Sequence, residues 1–261
     1  MTAKDLSRVE AGDAAPPADP RRSDSYRQLL RALSLVQKPV KGAPAYSRFV
    51  NRRLGRALAA IAFKFGLTPN LVTAVSAALS SASIALLALV GPSPGVGVLV
   101  GFGLVLGYAF DAADGQLARL RGGGSRSGEW LDHMVDSGKI SCLHLAVLIS
   151  WYRVLGLSHA AWLLIPIGFT AVANVMFFGM ILNDQLRRGA GATVRPARRG
   201  TASVIRSALV IPTDYGVLCV SFLLLGWNDL FRGVYTCLFA ANAAFLFLAV
   251  IKWFRDMAEL D

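Results

Sequence analysis

Cysteine is scarce in this 261-residue chain: Cys142, Cys219 and Cys237 are the only three. They stand in apolar segments without CxxC spacing, which excludes a disulfide scaffold and leaves them as packing residues. Charge is scarce as well, at 16% Asp, Glu, Lys and Arg against 54% hydrophobic residues, with a mean hydropathy of +0.50. Such a balance excludes a wholly disordered chain and disfavours a soluble globule. Charged side chains are missing altogether from Phe65 to Phe110, from Val154 to Asn183 and from Gly233 to Ile251. Runs of that length read as membrane spans. The N-terminal stretch also lacks the apolar core of a signal peptide, so the N-terminus is expected in the cytoplasm.

What charge there is sums to +11, and its location decides its meaning. Residues 1–70 carry 13 Lys and Arg against 5 Asp and Glu. Between Asn183 and Arg206, six Arg stand against Asp184 alone. Both clusters border hydrophobic spans, where excess Lys and Arg mark the cytoplasmic side and attract anionic headgroups. The expected partner of the positive charge is therefore membrane lipid and not nucleic acid.

Three regions follow. Residues 1–26 mix Ala, Pro, Asp and Arg without apolar periodicity and are expected to form a disordered polar tail. Residues 27–67 form an amphipathic interfacial segment. Within it Phe49, Leu54, Leu58, Ile61 and Phe65 recur at three- to five-residue spacing among Arg48, Arg52, Arg53, Arg56 and Lys64, the pattern of a helix lying in the membrane interface. Residues 68–261 form an all-α membrane domain of six predicted transmembrane helices: about Leu71–Val90, Val96–Ala118, Glu129–Tyr152, Ala161–Leu182, Ser207–Trp227 and Leu230–Phe254. Six spans return the C-terminus to the cytoplasm and place both Arg-bearing loops there.

Against this apolar background, Asp111, Asp114, Asp132 and Asp136 gather at the ends of the second and third spans. The first pair is three apart and the second four apart, so each shares a helical face. An Asp at the centre of a spanning helix costs about 2.5 to 3.5 kcal/mol, so four of them require a cation between them. Hard carboxylate oxygens without Cys or paired His select Mg²⁺, Mn²⁺ or Ca²⁺. Two such ions, about 3.5 to 4 Å apart, would clamp a displacement at phosphorus. Gly115, Ala118 and Gly128 leave space beside the aspartates, and Arg119 offers a fork to a phosphate. An Asp and Arg network that only packs helices is the competing explanation. An acceptor hydroxyl needs a base; Asp136 lies deepest along its helix, and Asp132 is equally open by spacing.

The stretch DAADGQLARLRGGGSRSGEWLDHMVD resembles the signature of the CDP-alcohol phosphotransferases, DxxDGxxAR, eight residues, then GxxxDxxxD. It fits at Asp111, Asp114, Gly115, Ala118, Arg119, Gly128, Asp132 and Asp136. The resemblance implies a homodimeric membrane enzyme that transfers the non-nucleotide half of a CDP-alcohol to a second alcohol and releases CMP. It implies Asp111, Asp114 and Asp132 as ligands of two Mg²⁺ or Mn²⁺ ions, and Asp136 as both ligand and general base. Gly115, Ala118, Arg119 and Gly128 are implied to line the CDP site.

The remaining signals are weaker. The Gly122-Gly123-Gly124 loop lacks the GK[ST] of a Walker A motif and reads as a connector. His133 is expected to point about 100° away from Asp132 and to pack. Asp214 in the fifth span is open between a functional carboxylate and one that snorkels to the interface. Arg195, Arg198 and Arg206 are the candidates for binding a phosphorylated polyol acceptor, inositol phosphate ahead of glycerol phosphate on the resemblance of the Tyr46–Thr73 segment. A helical transporter that binds a permeating cation through the aspartates is the alternative from another class.

Overall fold

Proline and hydroxyl residues set where the long helices begin. In a computed structural model, which describes residues 26–37, 44–155, 157–191 and 211–259, helix α3 spans Pro69–Leu89 and helix α4 spans Pro94–Leu120. Thr68 and Ser93 precede them as N-caps, each accepting a 3.2 Å hydrogen bond from the backbone N–H three residues on, while Pro69 and Pro94 fill positions whose N–H would have no helical partner. Ahead of them stand α1 (Tyr26–Leu35) and α2 (Arg52–Lys64), the latter entered through a π-helical turn at Ser47–Asn51. After them come α5 (Arg126–Leu155), α6 (Leu164–Gly189), α7 (Tyr215–Ser221) and α8 (Asn228–Ala258). No strand occurs among the described residues.

Four stretches, Pro69–Leu89, Pro94–Leu120, Ala160–Gly189 and Asn228–Ala258, are long and apolar enough to cross a membrane. Phe102, Phe178, Phe247 and Phe254 are all more than half exposed on them, which only an apolar surrounding tolerates across so much surface. The predicted fifth helix, Ser207–Trp227, is interrupted: a 3₁₀ turn at Ile211–Thr213 precedes α7, and a further 3₁₀ turn, Phe222–Leu224, ends it. Asp214 is extended there and caps α7, which ends any helix arriving from before Pro212. Its predicted beginning, 207–210, lies outside the described residues, as do residues 1–25 of the predicted tail.

Helix α3 packs on both α4 and α5, α5 on α6, and α6 on α8, while α7 lies on α4. One core, including Leu87, Leu104, Leu143, Trp151, Phe169, Phe222 and Tyr235, fills the bundle. A second joins the N-terminal helices to α4 through Leu29, Leu33, Ala59, Ala60, Ala113 and Leu117. The amphipathic segment thus has two apolar faces where its spacing suggested one. Gly55, Ala59, Ala60 and Ala62 are buried, whereas Phe49, Leu54, Ile61 and Phe65 are exposed. Small residues let α2 approach α4, and the large ones are left for another apolar phase. Of the cysteines, Cys219 is buried as expected, but Cys142 and Cys237 lie on the exterior, so packing does not account for those two.

Gly107 sets the distance between α3 and α4. A Cβ there would meet the Ser80 hydroxyl and would come within 3.3 Å of the Ser76 carbonyl. Its absence lets Ser76 Oγ donate to the Gly107 carbonyl at 2.8 Å, and polar residues of α3 consequently reach the aspartates of α4.

Candidate active site

Asp111 and Asp114 stand in the last three turns of α4, Asp132 and Asp136 in the first three of α5. The connection reverses at Gly122 and Gly123, with φ of +95° and +129°, values that side chains rarely adopt. Ser125 Oγ then accepts from Gly128 N–H at 3.0 Å at the start of α5. With both helices packed on α3, the two aspartate pairs face the same space.

Oxygens of Asp111, Asp132 and Asp136 lie within 4.8 Å of one another. Two oxygens on opposite sides of one Mg²⁺ stand about 4 Å apart, so this donor set fits a hard divalent cation after small side-chain rotations. Asp114 is outside that trio. It is buried and accepts a 2.6 Å hydrogen bond from Thr73 Oγ1 of α3. Lys139, one turn beyond Asp136, places its ammonium 2.6 Å from Asp111 Oδ1 and 2.7 Å from Asp136 Oδ1. Neither Thr73 nor Lys139 is part of the motif. The available signal was Lys139 itself, an ionisable residue set three positions after Asp136 in an otherwise apolar stretch.

A cavity of about 1130 Å³ opens above this cluster. Asp114, Asp132 and Asp136 line it together with Gly115, Ala118, Arg119 and Gly128. Asp111 and Lys139 lie behind that lining. The Arg119 guanidinium covers Gly115, 3.4 Å from where a Cβ would sit, and its Nε donates to the Val36 carbonyl at 2.8 Å. The N-terminal segment thereby anchors one edge of a guanidinium that lines the cavity. Gly128 leaves room beside Asn70, whose Oδ1 would be 3.1 Å from a Cβ there.

The opposite wall is basic and aromatic, with Phe177, Arg187, Arg188, Lys252 and Trp253. Arg187 pairs with Asp256 at 2.6 Å, and Arg188 pairs with Asp184 at 2.6 Å and Glu129 at 2.9 Å. The sequence-predicted acceptor residues Arg195, Arg198 and Arg206 lie outside the described residues. His133, about 100° around α5 from Asp132, packs edge-on against Phe177. It borders the cavity, with Nδ1 3.9 Å from Asp132 Oδ2, because the pocket widens past the aspartate face towards Phe177. Asp214 is 2% exposed, and its carboxylate accepts from the N–H groups of Gly216 (3.1 Å) and Ser47 (2.9 Å) and from the Ser47 hydroxyl. It serves as a cap and as a tie to the N-terminal element and is not among the residues that line the cavity.

The pattern of CDP-alcohol phosphatidyltransferases matches residues 66–251, well over half of the chain. The chain belongs to the CDP-alcohol phosphatidyltransferase family. The matched stretch of this phosphatidyltransferase runs from just before α3 into α8 and so contains all four aspartates and Lys139. Membership makes it an integral membrane transferase and removes support from the cation-transporter alternative. No curated protein sequence matches the chain. Among solved structures, Mycobacterium tuberculosis phosphatidylinositol phosphate synthase in complex with manganese and citrate is 22% identical, covering 76% of this chain and 87% of that one at a TM-score of 0.45. The same enzyme with CDP-DAG bound is 20% identical, covering 78% and 93%, also at 0.45.

Proposed function

We propose that this transferase is a six-span, divalent-metal-dependent enzyme that moves a phosphatidyl or substituted phosphoryl group from a CDP-alcohol, such as CDP-diacylglycerol, to an acceptor alcohol with release of CMP. The observation that carries the reading is the approach of Asp111, Asp132 and Asp136 oxygens to within 4.8 Å beneath a cavity that Arg119 also lines. Two Mg²⁺ or Mn²⁺ ions held by Asp111, Asp114, Asp132 and Asp136 would offset the charge developing on the phosphoryl oxygens and on leaving CMP.

The chain's own residues supply the rest. Gly115, Ala118 and Gly128 give the nucleotide access to the helix backbones, and Arg119 grips its phosphate. As the acceptor oxygen bonds to phosphorus, the bond to the CMP oxygen breaks and CMP departs with its electron pair. The acceptor proton passes to a carboxylate on the cavity wall, Asp136 in this reading, with Asp132 as the alternative. For the acceptor we favour a phosphorylated polyol, inositol phosphate ahead of glycerol phosphate, held by Arg195, Arg198 and Arg206. Arg187, Arg188 and Lys252 on the cavity wall offer further donors to a phosphate, although Asp256, Asp184 and Glu129 balance their charge there.

The six-span count includes α5, whose 30 residues extend about 45 Å, more than a bilayer core, and α7 with the segment before it. The N-terminal segment lies in the interface with Phe49, Leu54 and Ile61 turned to lipid. Both termini and the cavity mouth face the cytoplasm under the positive-inside rule, and the protein pairs as a homodimer. Purified protein is tested for CMP release from CDP-diacylglycerol and from CDP-polyols across acceptor alcohols, with Mg²⁺, Mn²⁺ or EDTA. Donor-dependent, EDTA-sensitive release is expected; full activity in EDTA, or no release with any pair, overturns the reading.

A further inference from the structure

Metal ligation and nucleotide recognition leave Lys139 without a task, yet its ammonium has three acceptors within reach. Its side chain is 7% exposed, and its ammonium lies 2.6 Å from Asp111 Oδ1, 2.7 Å from Asp136 Oδ1 and 3.4 Å from Ser76 Oγ. An ammonium has three N–H donors, and three acceptors surround it. Ser76 spends its own proton on the Gly107 carbonyl, so its oxygen remains to accept. An apolar side chain would pack α5 against α3 without burying a charge, so packing alone does not explain a lysine here.

Lys139 is not among the residues that line the cavity. Asp136 lines the cavity, whereas Asp111 and Lys139 lie behind that lining. Asp111 and Asp136 also belong to the trio whose oxygens converge within 4.8 Å. The ammonium and an arriving divalent ion therefore draw on the same two carboxylates. Four aspartates carry four negative charges when ionised, and the fixed ammonium leaves a net of three for the ion to meet.

We propose that Lys139 is a positioning residue that acts as a built-in counter-cation, holding Asp111 and Asp136 together before a divalent ion binds and setting the affinity for that ion by competing for their oxygens. The proposal rests on the reading of Asp111, Asp132 and Asp136 as metal ligands. It concerns how strongly the site holds its ion and not which groups perform the transfer.

The test uses the full chain in detergent, with Mn²⁺ binding followed through the electron paramagnetic resonance signal of free Mn²⁺ and unfolding followed by thermal melting with and without the ion. Lys139→Met should bind Mn²⁺ about tenfold or more tightly than wild type, because a like charge has gone from the site. Lys139→Arg should stay near the wild-type affinity. The metal-free melting temperature should fall in Lys139→Met, and Mn²⁺ should restore more of it than it adds to wild type. A lysine that only packs would lower stability equally with and without Mn²⁺. A folded Lys139→Met with unchanged or weaker Mn²⁺ binding overturns the proposal. Should Lys139→Met fail to accumulate, Lys139→Gln carries the same expectation. Failure of both even in Mn²⁺-supplemented medium also overturns it, since the ion then cannot take over the ammonium's role. Wild-type protein that binds no Mn²⁺ refutes the ligand reading itself, a distinct result.

Discussion

Thr73 Oγ1 donates to Asp114 Oδ2 at 2.6 Å, joining the first turns of α3 to the last turns of α4 at a buried point 41 residues apart in sequence. The contact fixes the rotamer of a carboxylate that also lines the cavity. A hydrogen bond to a charged group contributes about 1.5 to 3 kcal/mol. Thr73→Val keeps the shape and removes the donor, so CMP release should fall by roughly 10- to 100-fold while the protein still accumulates. Thr73→Ser should keep most of the rate. Wild-type turnover in Thr73→Val would show that Asp114 holds its position unaided.

Asp136→Asn separates binding from chemistry. The amide retains the size and one acceptor oxygen but cannot take a proton at neutral pH. Bound CDP-alcohol with CMP release reduced by about 100-fold or more is expected, in the range that positioned bases supply. Asp132→Asn, measured beside it, decides between the two candidates for the base: the variant that retains donor affinity and metal binding yet loses turnover identifies it.

At Gly107 the expected effect is on stability first. Gly107→Ala places a methyl against the Ser80 hydroxyl and within 3.3 Å of the Ser76 carbonyl, forcing α3 and α4 apart. Overpacking of this kind costs about 1 to 3 kcal/mol. The melting temperature in detergent should drop, and adding Ser80→Ala should recover part of the loss by removing the hydroxyl. No recovery in the double variant would place the strain at the Ser76 backbone.

Sidedness is read from one residue. Ser125 is exposed in the loop between α4 and α5, at the mouth of the cavity. A cysteine at Ser125 should react with impermeant thiol reagents only in inverted vesicles or opened cells. Both Cys142 and Cys237 lie on the exterior, so the background must first be cleared by replacing them with alanine. Labelling from outside intact cells would invert the topology.

The acceptor is addressed by comparing two groups of cations. Arg195→Ala, Arg198→Ala and Arg206→Ala, and separately Arg187→Ala, Arg188→Ala and Lys252→Ala, should raise the acceptor KM with the donor KM little changed wherever the residue meets acceptor phosphate. Unchanged acceptor kinetics across all six would leave these residues as membrane-orienting charges and remove the argument for a phosphorylated acceptor.

The sequence by itself determined the apolar stretches and the faces on which the aspartates stand. These are local matters: a bilayer demands about 20 apolar residues per helix, and helical periodicity decides which neighbours share a side. Tertiary structure decided what those faces meet. The pairs Lys139 with Asp111, Thr73 with Asp114 and Ser47 with Asp214 join residues 28, 41 and 167 positions apart, and no periodicity encodes such partners. The same holds for the amphipathic segment, where spacing marks apolar residues alike. Only the approach of α2 to α4 separates the buried alanines from the exposed Phe49, Leu54 and Ile61, because small side chains alone fit where two helix backbones come close.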